Sequence, residues 1–206
     1  QEEKKLAITH PKRANGLHSL LYKCPACMAE SNTDSEGTML WCNSCGKKWE
    51  MDEYGAMHAL EGKTEFSHIP DWSNWERECV KKELEDEIYH LHVPVDICIM
   101  VDTKSIYRVG EGVLEHSKEG FHLTGCEGKL DYYQKPLASY SLYSDYYWYE
   151  VGDVICIGDS NALYYCFPKD CGDIVAKTRL ATEELYKIVK KENVHGKIEF
   201  NLRKDL

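Results

Sequence analysis

The sequence predicts an α+β fold with three parts in series: a small cysteine-rich N-terminal domain, a linking helix, and a mainly antiparallel β domain closed by a C-terminal helix. Three observations predict it. Two Cys-x-x-Cys pairs lie near the start of the chain, a helical apolar pattern follows at 71–91, and from Val93 onward the apolar residues alternate with period two. A second helical pattern near the C-terminus completes the series.

Composition is that of a globular protein with room for two domains. Of 206 residues, 43% are hydrophobic and 29% charged, and 35 acidic against 25 basic residues give a net charge of −10. Apolar residues in this proportion exclude intrinsic disorder. The longest apolar run, 162–167, is far shorter than a membrane span, so we expect none. The chain begins at Gln1 without an initiator Met or a leader, and we expect a piece of a longer protein.

The strongest motif is Cys24-Pro-Ala-Cys27 followed, after fourteen residues, by Cys42-Asn-Ser-Cys45. Two such pairs, joined by a hairpin, can present four sulfurs to Zn²⁺ in a tetrahedron. Gly46 suits the positive φ at the end of the second pair. Four cysteines leave no open coordination position, so the sequence predicts one structural zinc, bound by Cys24, Cys27, Cys42 and Cys45, in a zinc ribbon. The alternative is a pair of redox-active Cys-x-x-Cys motifs.

Clustered cysteines favour metal binding in a reducing compartment, and we expect a cytoplasmic location. The segments that follow from these patterns are a linker over 1–19, the zinc ribbon over 20–62, the linking helix region over 63–92 and the β domain over 93–206.

Residues 24–62 carry seven acidic and two basic side chains, and a zinc with four thiolates adds a further −2. Phosphate binding needs many Lys and Arg, so we expect no nucleic-acid partner.

Each element is predicted by local pattern. Ser19–Tyr22 and Met39–Trp41 are typical of strands, and Ser73 with Glu76 forms a capping box at the start of the helix over 71–91. The strands and hairpins of the β domain are predicted at 96–102, 112–116, 121–124, 146–151, 154–157 and 163–167, and the terminal helix at 179–191. Six or seven antiparallel strands followed by one helix are typical of a barrel or sandwich similar to a pleckstrin-homology domain.

The remaining reactive residues favour ordinary structural roles. Cys98, Cys156 and Cys166 lie in predicted strands, where a cysteine is usually a small buried hydrophobe. His90 and His92 are predicted at a helix end, where a dipole contact is more common than metal binding. The aromatic run 145–150 predicts a strand with half of its rings facing inward. We therefore predict no catalytic residue in this chain.

A set of longer strings resembles a known region. They are Leu21–Pro25, Trp49–Gly55, Ala59–Gly62, Thr64–Phe66, His68–Trp72, Gln134–Tyr140, Ala176–Ala181 and Glu183–Tyr186. Together they resemble the extension that follows the catalytic domain in some bacterial 1-acyl-sn-glycerol-3-phosphate acyltransferases, a lysophospholipid acyltransferase family of phospholipid biosynthesis. The resemblance covers nearly the whole chain.

The resemblance implies an accessory region, not the enzyme itself. The family's catalytic motif is a His followed five positions later by Asp, and none of the nine histidines here is followed in that way. The expected partner is a catalytic acyltransferase domain of the same polypeptide, with a membrane surface or another protein as further possibilities. Net −10 disfavours anionic lipid, although Lys187, Lys190 and Lys191 could form a local basic patch. The alternative is a free-standing zinc-ribbon adaptor that binds protein or nucleic acid.

Overall fold

The chain divides into two compact units. The computed structural model describes residues 6–102, 105–148 and 151–202. The first unit runs up to Cys79 and also includes Cys171–Lys177, and the second comprises Val80–Asp170 and the chain from Thr178 onward. The predicted α+β class is confirmed, with antiparallel sheets, a C-terminal helix and a cluster of four cysteines in the first unit.

The first unit is built on a four-stranded antiparallel meander. A short helix α1 (Leu17–Leu20) precedes the strands β1 (Thr33–Glu36), β2 (Met39–Cys42), β3 (Lys48–Met51) and β4 (Met57–Ala59), which pair in that order. Alternate residues of each strand point into one core, and Gly37 adopts a φ of 64° in the turn between β1 and β2. The fully buried side chains include Leu21, Leu40, Trp49, Met57 and Trp72.

Two local predictions for this unit are wrong. Ser19–Tyr22 is not a strand, because Ser19 lies in α1 and Leu21 and Tyr22 follow it as buried, irregular backbone. The linking helix, α2, spans Ile69–Glu85 and so starts before the predicted capping box. It ends six residues early because Glu87 adopts the left-handed conformation, with a φ of 58°, and Ile88 is 69% exposed.

The second unit is one seven-stranded antiparallel sheet. Its strands are β5 (Leu91–Asp102), β6 (Ser105–Ser117), β7 (Gly120–Gly125), β8 (Leu130–Gln134), β9 (Tyr143–Trp148), β10 (Gly152–Gly158) and β11 (Leu163–Pro168). They pair in the order β8-β7-β6-β5-β11-β10-β9. The predicted hairpins β6–β7 and β10–β11 are confirmed. The predicted strand at 146–151 is displaced to β9, and Tyr149 and Glu150 lie outside the described residues.

The sequence left open a barrel or a sandwich, and the described strands do not close into a barrel. β8 and β9 end the sheet, and no backbone ladder among the described residues joins them. β8 instead reaches the other half of the sheet through side chains. Gln134 accepts a hydrogen bond at its Oε1 from the Gly158 N–H in β10 (2.9 Å), and Tyr132 packs against Tyr164 in β11 at 5.1 Å between ring centroids. The sheet is therefore open.

The terminal helix, α3, spans Val175–Leu202 and is longer than predicted. Leu180, Ala181 and Leu185 form its buried face within the second unit. Ser141 donates a hydrogen bond to Glu183 (2.9 Å), which fixes the loop before β9 to this helix. In the described part of the chain, no helix combines the length and the apolar character needed to cross a membrane.

Candidate metal centre

Two turns of the same geometry carry the four cysteines. The N–H of Cys24 donates to the carbonyl of Ala29 (2.8 Å), and the N–H of Cys42 donates to that of Lys47 (2.9 Å). Within each turn, the residue four positions after the first cysteine donates back to that cysteine's carbonyl. These residues, Met28 and Gly46, both have positive φ, at 66° and 74°. The expected positive φ at Gly46 is confirmed, and Met28 occupies the equivalent strained position in the first turn.

The β1–β2 hairpin brings the two turns together, as predicted. The Sγ atoms of Cys24 and Cys45 are 3.8 Å apart, those of Cys27 and Cys42 are 3.6 Å apart, and all four sulfurs lie within 4.8 Å of one another. A zinc–sulfur bond of about 2.3 Å in a regular tetrahedron requires sulfur–sulfur distances of about 3.8 Å. These distances are far longer than the ~2.05 Å of a disulfide bond. The donor set therefore fits a tetrahedral metal ion such as Zn²⁺.

Backbone N–H groups support the thiolate form of the first cysteine in each turn. Burial raises the pKa of Cys24, while N–H donors of Cys27 and Ala26 oppose that effect. At Cys42, burial also acts to raise the pKa, but the N–H donors of Cys45 and Ser44 together with the neighbouring thiols of Cys27 and Cys24 outweigh it, and the pKa is lowered. Cys24 and Cys42 are buried, whereas Cys27 and Cys45 reach the surface. Such donors to sulfur are typical of the groups that orient and tune metal ligands.

Helix α2 holds the backbone immediately before Cys24. The indole N–H of Trp72 donates to the carbonyl of Lys23 (3.0 Å), and the N–H of Lys23 donates to Oε1 of Glu76 (2.8 Å). Trp72 also packs edge-on against Trp49 of β3, with 5.0 Å between ring centroids. The first cysteine turn is therefore fixed from two sides, by the sheet and by the helix.

Glu76 is predicted to be part of a helix cap, and that prediction is wrong, because the residue lies inside α2 and is buried. It is fully buried, and its Oε2 has no hydrogen-bond partner. Burial raises its pKa to about 8, although the hydrogen bond and the charge of Lys23 act in the opposite direction. The capping box failed because α2 begins at Ile69. The spacing of four residues between Trp72, Glu76 and Val80 places them on one face of the helix, and all three are fully buried. This spacing could have predicted the burial of Glu76.

Residues 171–177, which follow the last strand, close over the first cysteine turn. Ser31 donates a hydrogen bond from its hydroxyl to the carbonyl of Asp173 (3.0 Å). Glu30 binds Lys23 (3.0 Å) and Lys177 (2.7 Å) through its two oxygens. Burial acts to raise the pKa of Glu30, but the two lysines outweigh it and lower the pKa. We call this segment the 171–177 strap.

The other candidate residues have structural surroundings. Cys156 and Cys166 are buried in β10 and β11, as predicted, whereas Cys98 in β5 is only half-buried. His90 and His92 do not lie at a helix end, because α2 stops at Glu85. His92 instead pairs across the sheet with Glu115 at 3.0 Å. Among the described residues, the four cysteines are the one group of metal-ligating side chains that lies close enough to hold an ion.

The relationship to an acyltransferase extension stays a prediction. Comparison of the chain with protein-family models, curated proteins and solved structures finds no significant match. A function for the chain therefore depends on the geometry of its cysteine cluster and on the residue strings given above.

Proposed function

We propose that the first unit is a zinc ribbon in which Cys24, Cys27, Cys42 and Cys45 bind one structural Zn²⁺. The sulfur–sulfur distances of 3.6 and 3.8 Å between opposite turns carry this proposal, because they match the edges of a tetrahedral zinc–thiolate site. When bound, the ion cross-links the two turns. The four thiolates complete a tetrahedral shell, so the metal stabilises the fold and does not bind substrate.

Metal analysis of the full chain tests this directly. We expect about one zinc per chain after anaerobic purification, and loss of that zinc in Cys24→Ser and Cys45→Ser. Cys171→Ser is the matched control, since Cys171 is an exposed cysteine of the same unit outside the cluster. Co²⁺ substitution should give the visible bands of a tetrahedral four-sulfur site. Iron in place of zinc, or no metal at all, would overturn the proposal.

We propose further that the chain is a non-catalytic accessory region of an acyltransferase that acts on lysophosphatidic acid. The residue strings of the sequence carry this proposal. For the β domain, seven antiparallel strands in two runs, β5–β8 and β9–β11, followed by α3, support a pleckstrin-homology-like arrangement. Its role would be contact with the catalytic domain, with another protein or with a membrane surface.

Two experiments test the accessory role. The gene upstream of Gln1 should continue in frame into an acyltransferase domain, and a frame that starts near Gln1 would favour a free-standing adaptor instead. The purified chain should not convert lysophosphatidic acid and an acyl thioester to phosphatidic acid. Turnover by this chain that survives further purification would overturn the non-catalytic assignment.

Membrane contact is tested separately. Cosedimentation of the chain with vesicles of neutral lipid and with vesicles that contain anionic lipid distinguishes charge-driven from charge-independent binding. No pelleting in either case would exclude a membrane-targeting role and leave protein contact. Because the net charge is −10, any binding to anionic vesicles should depend on a local basic patch and fall with salt.

A further inference from the structure

The outward face of the zinc-ribbon sheet carries an aromatic side chain surrounded by carboxylates. Along β2, Leu40 and Cys42 point into the core, so Met39 and Trp41 lie on the opposite face. Trp41 pairs with Asp34 on one side and Lys48 on the other. The next row pairs Glu36, Met39 and Glu50. We call these six residues, Asp34, Glu36, Met39, Trp41, Lys48 and Glu50, the Trp41 face.

Trp41 is held in place and remains partly accessible. Its indole N–H donates to Oδ1 of Asn43 at 3.0 Å, which fixes the ring on its strand. The ring is half-buried and forms one wall of a shallow groove that Pro11, Thr38 and Met39 also line. An aromatic ring that is fixed before binding loses little conformational freedom when a ligand contacts it.

The charge around the ring favours a cation. The Trp41 face carries three carboxylates, those of Asp34, Glu36 and Glu50, and a single amine, that of Lys48. The side chain of Asp34 is 54% exposed, with its Oδ1 3.7 Å from Nδ1 of His18, and Glu36 and Glu50 are exposed residues. Residues 24–62 are acidic as a whole, with seven carboxylates against two amines, so the unit attracts positively charged partners at longer range as well.

The same residues disfavour a phosphate ligand. Nucleic-acid binding requires several Lys or Arg side chains on one surface. Lys48 is the one lysine of the Trp41 face, and neighbouring Lys47 already binds the carboxylate of Glu65 and the carbonyl of Lys63. A tryptophan face with adjacent carboxylates is instead typical of sites for an organic cation.

We propose that the Trp41 face is a docking site for an arginine- or lysine-bearing segment of a protein partner. The cationic group lies over the indole of Trp41 and pairs with the neighbouring carboxylates, while the alkyl part of the side chain lies along Met39. Arginine is the better fit, because its planar guanidinium stacks on an aromatic ring and binds a carboxylate with two hydrogen bonds.

NMR titration of the zinc-loaded full chain tests this proposal. The probe is a short Gly-Arg-Gly-Arg-Gly peptide, and the control peptides carry Glu or norleucine in place of Arg. We expect saturable shifts of the Trp41 indole N–H, assigned with Trp41→Phe, and of the Met39 methyl group, and we expect them with the Arg peptide alone. Trp41→Ala should weaken binding about five- to tenfold, as loss of a cation–π contact predicts. Glu36→Lys combined with Glu50→Lys should abolish binding.

Controls separate this site from nonspecific attraction. Tyr54→Ala removes another exposed aromatic side chain of the same unit and should leave peptide affinity unchanged. The zinc content of every variant is measured on the same sample, so an unfolded ribbon is recognised independently of binding. The proposal is overturned if the Arg peptide causes no saturable shift at Trp41, if Trp41→Ala binds equally well, or if single-stranded DNA rather than the peptide shifts Trp41.

Discussion

The buried carboxyl of Glu76 should make the stability of the first unit fall as the pH rises. In the folded state its pKa is raised from 4.5 to about 8, chiefly by burial. In the unfolded chain the carboxyl ionises near its ordinary pKa. Between these two values the folded protein binds one proton more than the unfolded chain, so raising the pH favours unfolding. Below the unfolded pKa both states are protonated and the penalty vanishes.

The size of the effect follows from the shift. Each pKa unit corresponds to about 1.4 kcal/mol, so the free energy of unfolding should fall by about 3 kcal/mol between about pH 5.5 and about pH 8 on account of Glu76 alone. Glu76→Gln removes this dependence because an amide does not titrate. Its carbonyl can still accept the Lys23 N–H, while its NH₂ group leaves a buried donor at a cost of about 1–3 kcal/mol that does not vary with pH.

The measurement is urea unfolding of the zinc-loaded chain across this pH range, followed by tryptophan fluorescence. Four of the five tryptophans lie in the first unit, so the signal reports mainly on that unit. Zinc affinity also varies with pH, but it does so in both proteins, and the difference between wild type and Glu76→Gln isolates the carboxyl. Glu78→Gln, at an exposed position of the same helix, is the matched control. A wild-type-minus-Glu76→Gln difference that stays constant with pH would refute the reasoning.

Three further outcomes follow from the structure. Burial lowers the pKa of His116 to about 3, so on acidification the unfolded chain binds a proton before the folded one does. The second unit should therefore lose about 2 kcal/mol of stability from about pH 7.5 to about pH 5. Hydrogen exchange of β6 and β7 measures this loss, and His116→Gln should abolish it. Gly172→Ala places a Cβ against the Ser31 carbonyl and should destabilise the first unit by about 1–3 kcal/mol in urea unfolding. Trp72→Phe removes the donor to Lys23 and should lower the urea midpoint of the same unit, with a cost of about 1–3 kcal/mol; an unchanged midpoint would contradict that role.

Features that depend on neighbouring residues were predictable from the sequence. The two Cys-x-x-Cys turns, the positive φ of Gly46 and the hairpins at 117–120 and 158–163 each follow from a short local pattern. The strands predicted at 154–157 and 163–167 lie within β10 and β11, although these strands bury four and three successive residues instead of alternate ones. β8 was missed because its most buried residue is polar, Gln134, whose side chain is satisfied by a partner in a distant strand.

Features that depend on residues far apart in the chain were not predictable. Glu76 has the sequence context of a helix cap, and its burial follows from the packing of α2 beside Lys23, which lies 53 residues earlier. The sheet is open because β8 and β9, its two edge strands, do not pair with each other, and the residue pattern of a strand does not encode which strands pair. A single sequence therefore predicted the cluster of four cysteines but not the groups that hold it in place.

The 171–177 strap determines when the first unit can be completed during synthesis. The strap leaves the ribosome after all seven strands of the second unit, yet Glu30 and Ser31, directly after the first cysteine turn, bind it. After the four cysteines have been synthesised, more than half of the protein must still be translated before the strap can contact this region. Early zinc capture would protect those thiols from oxidation over that interval, and a fragment cut after α2 would never acquire the strap.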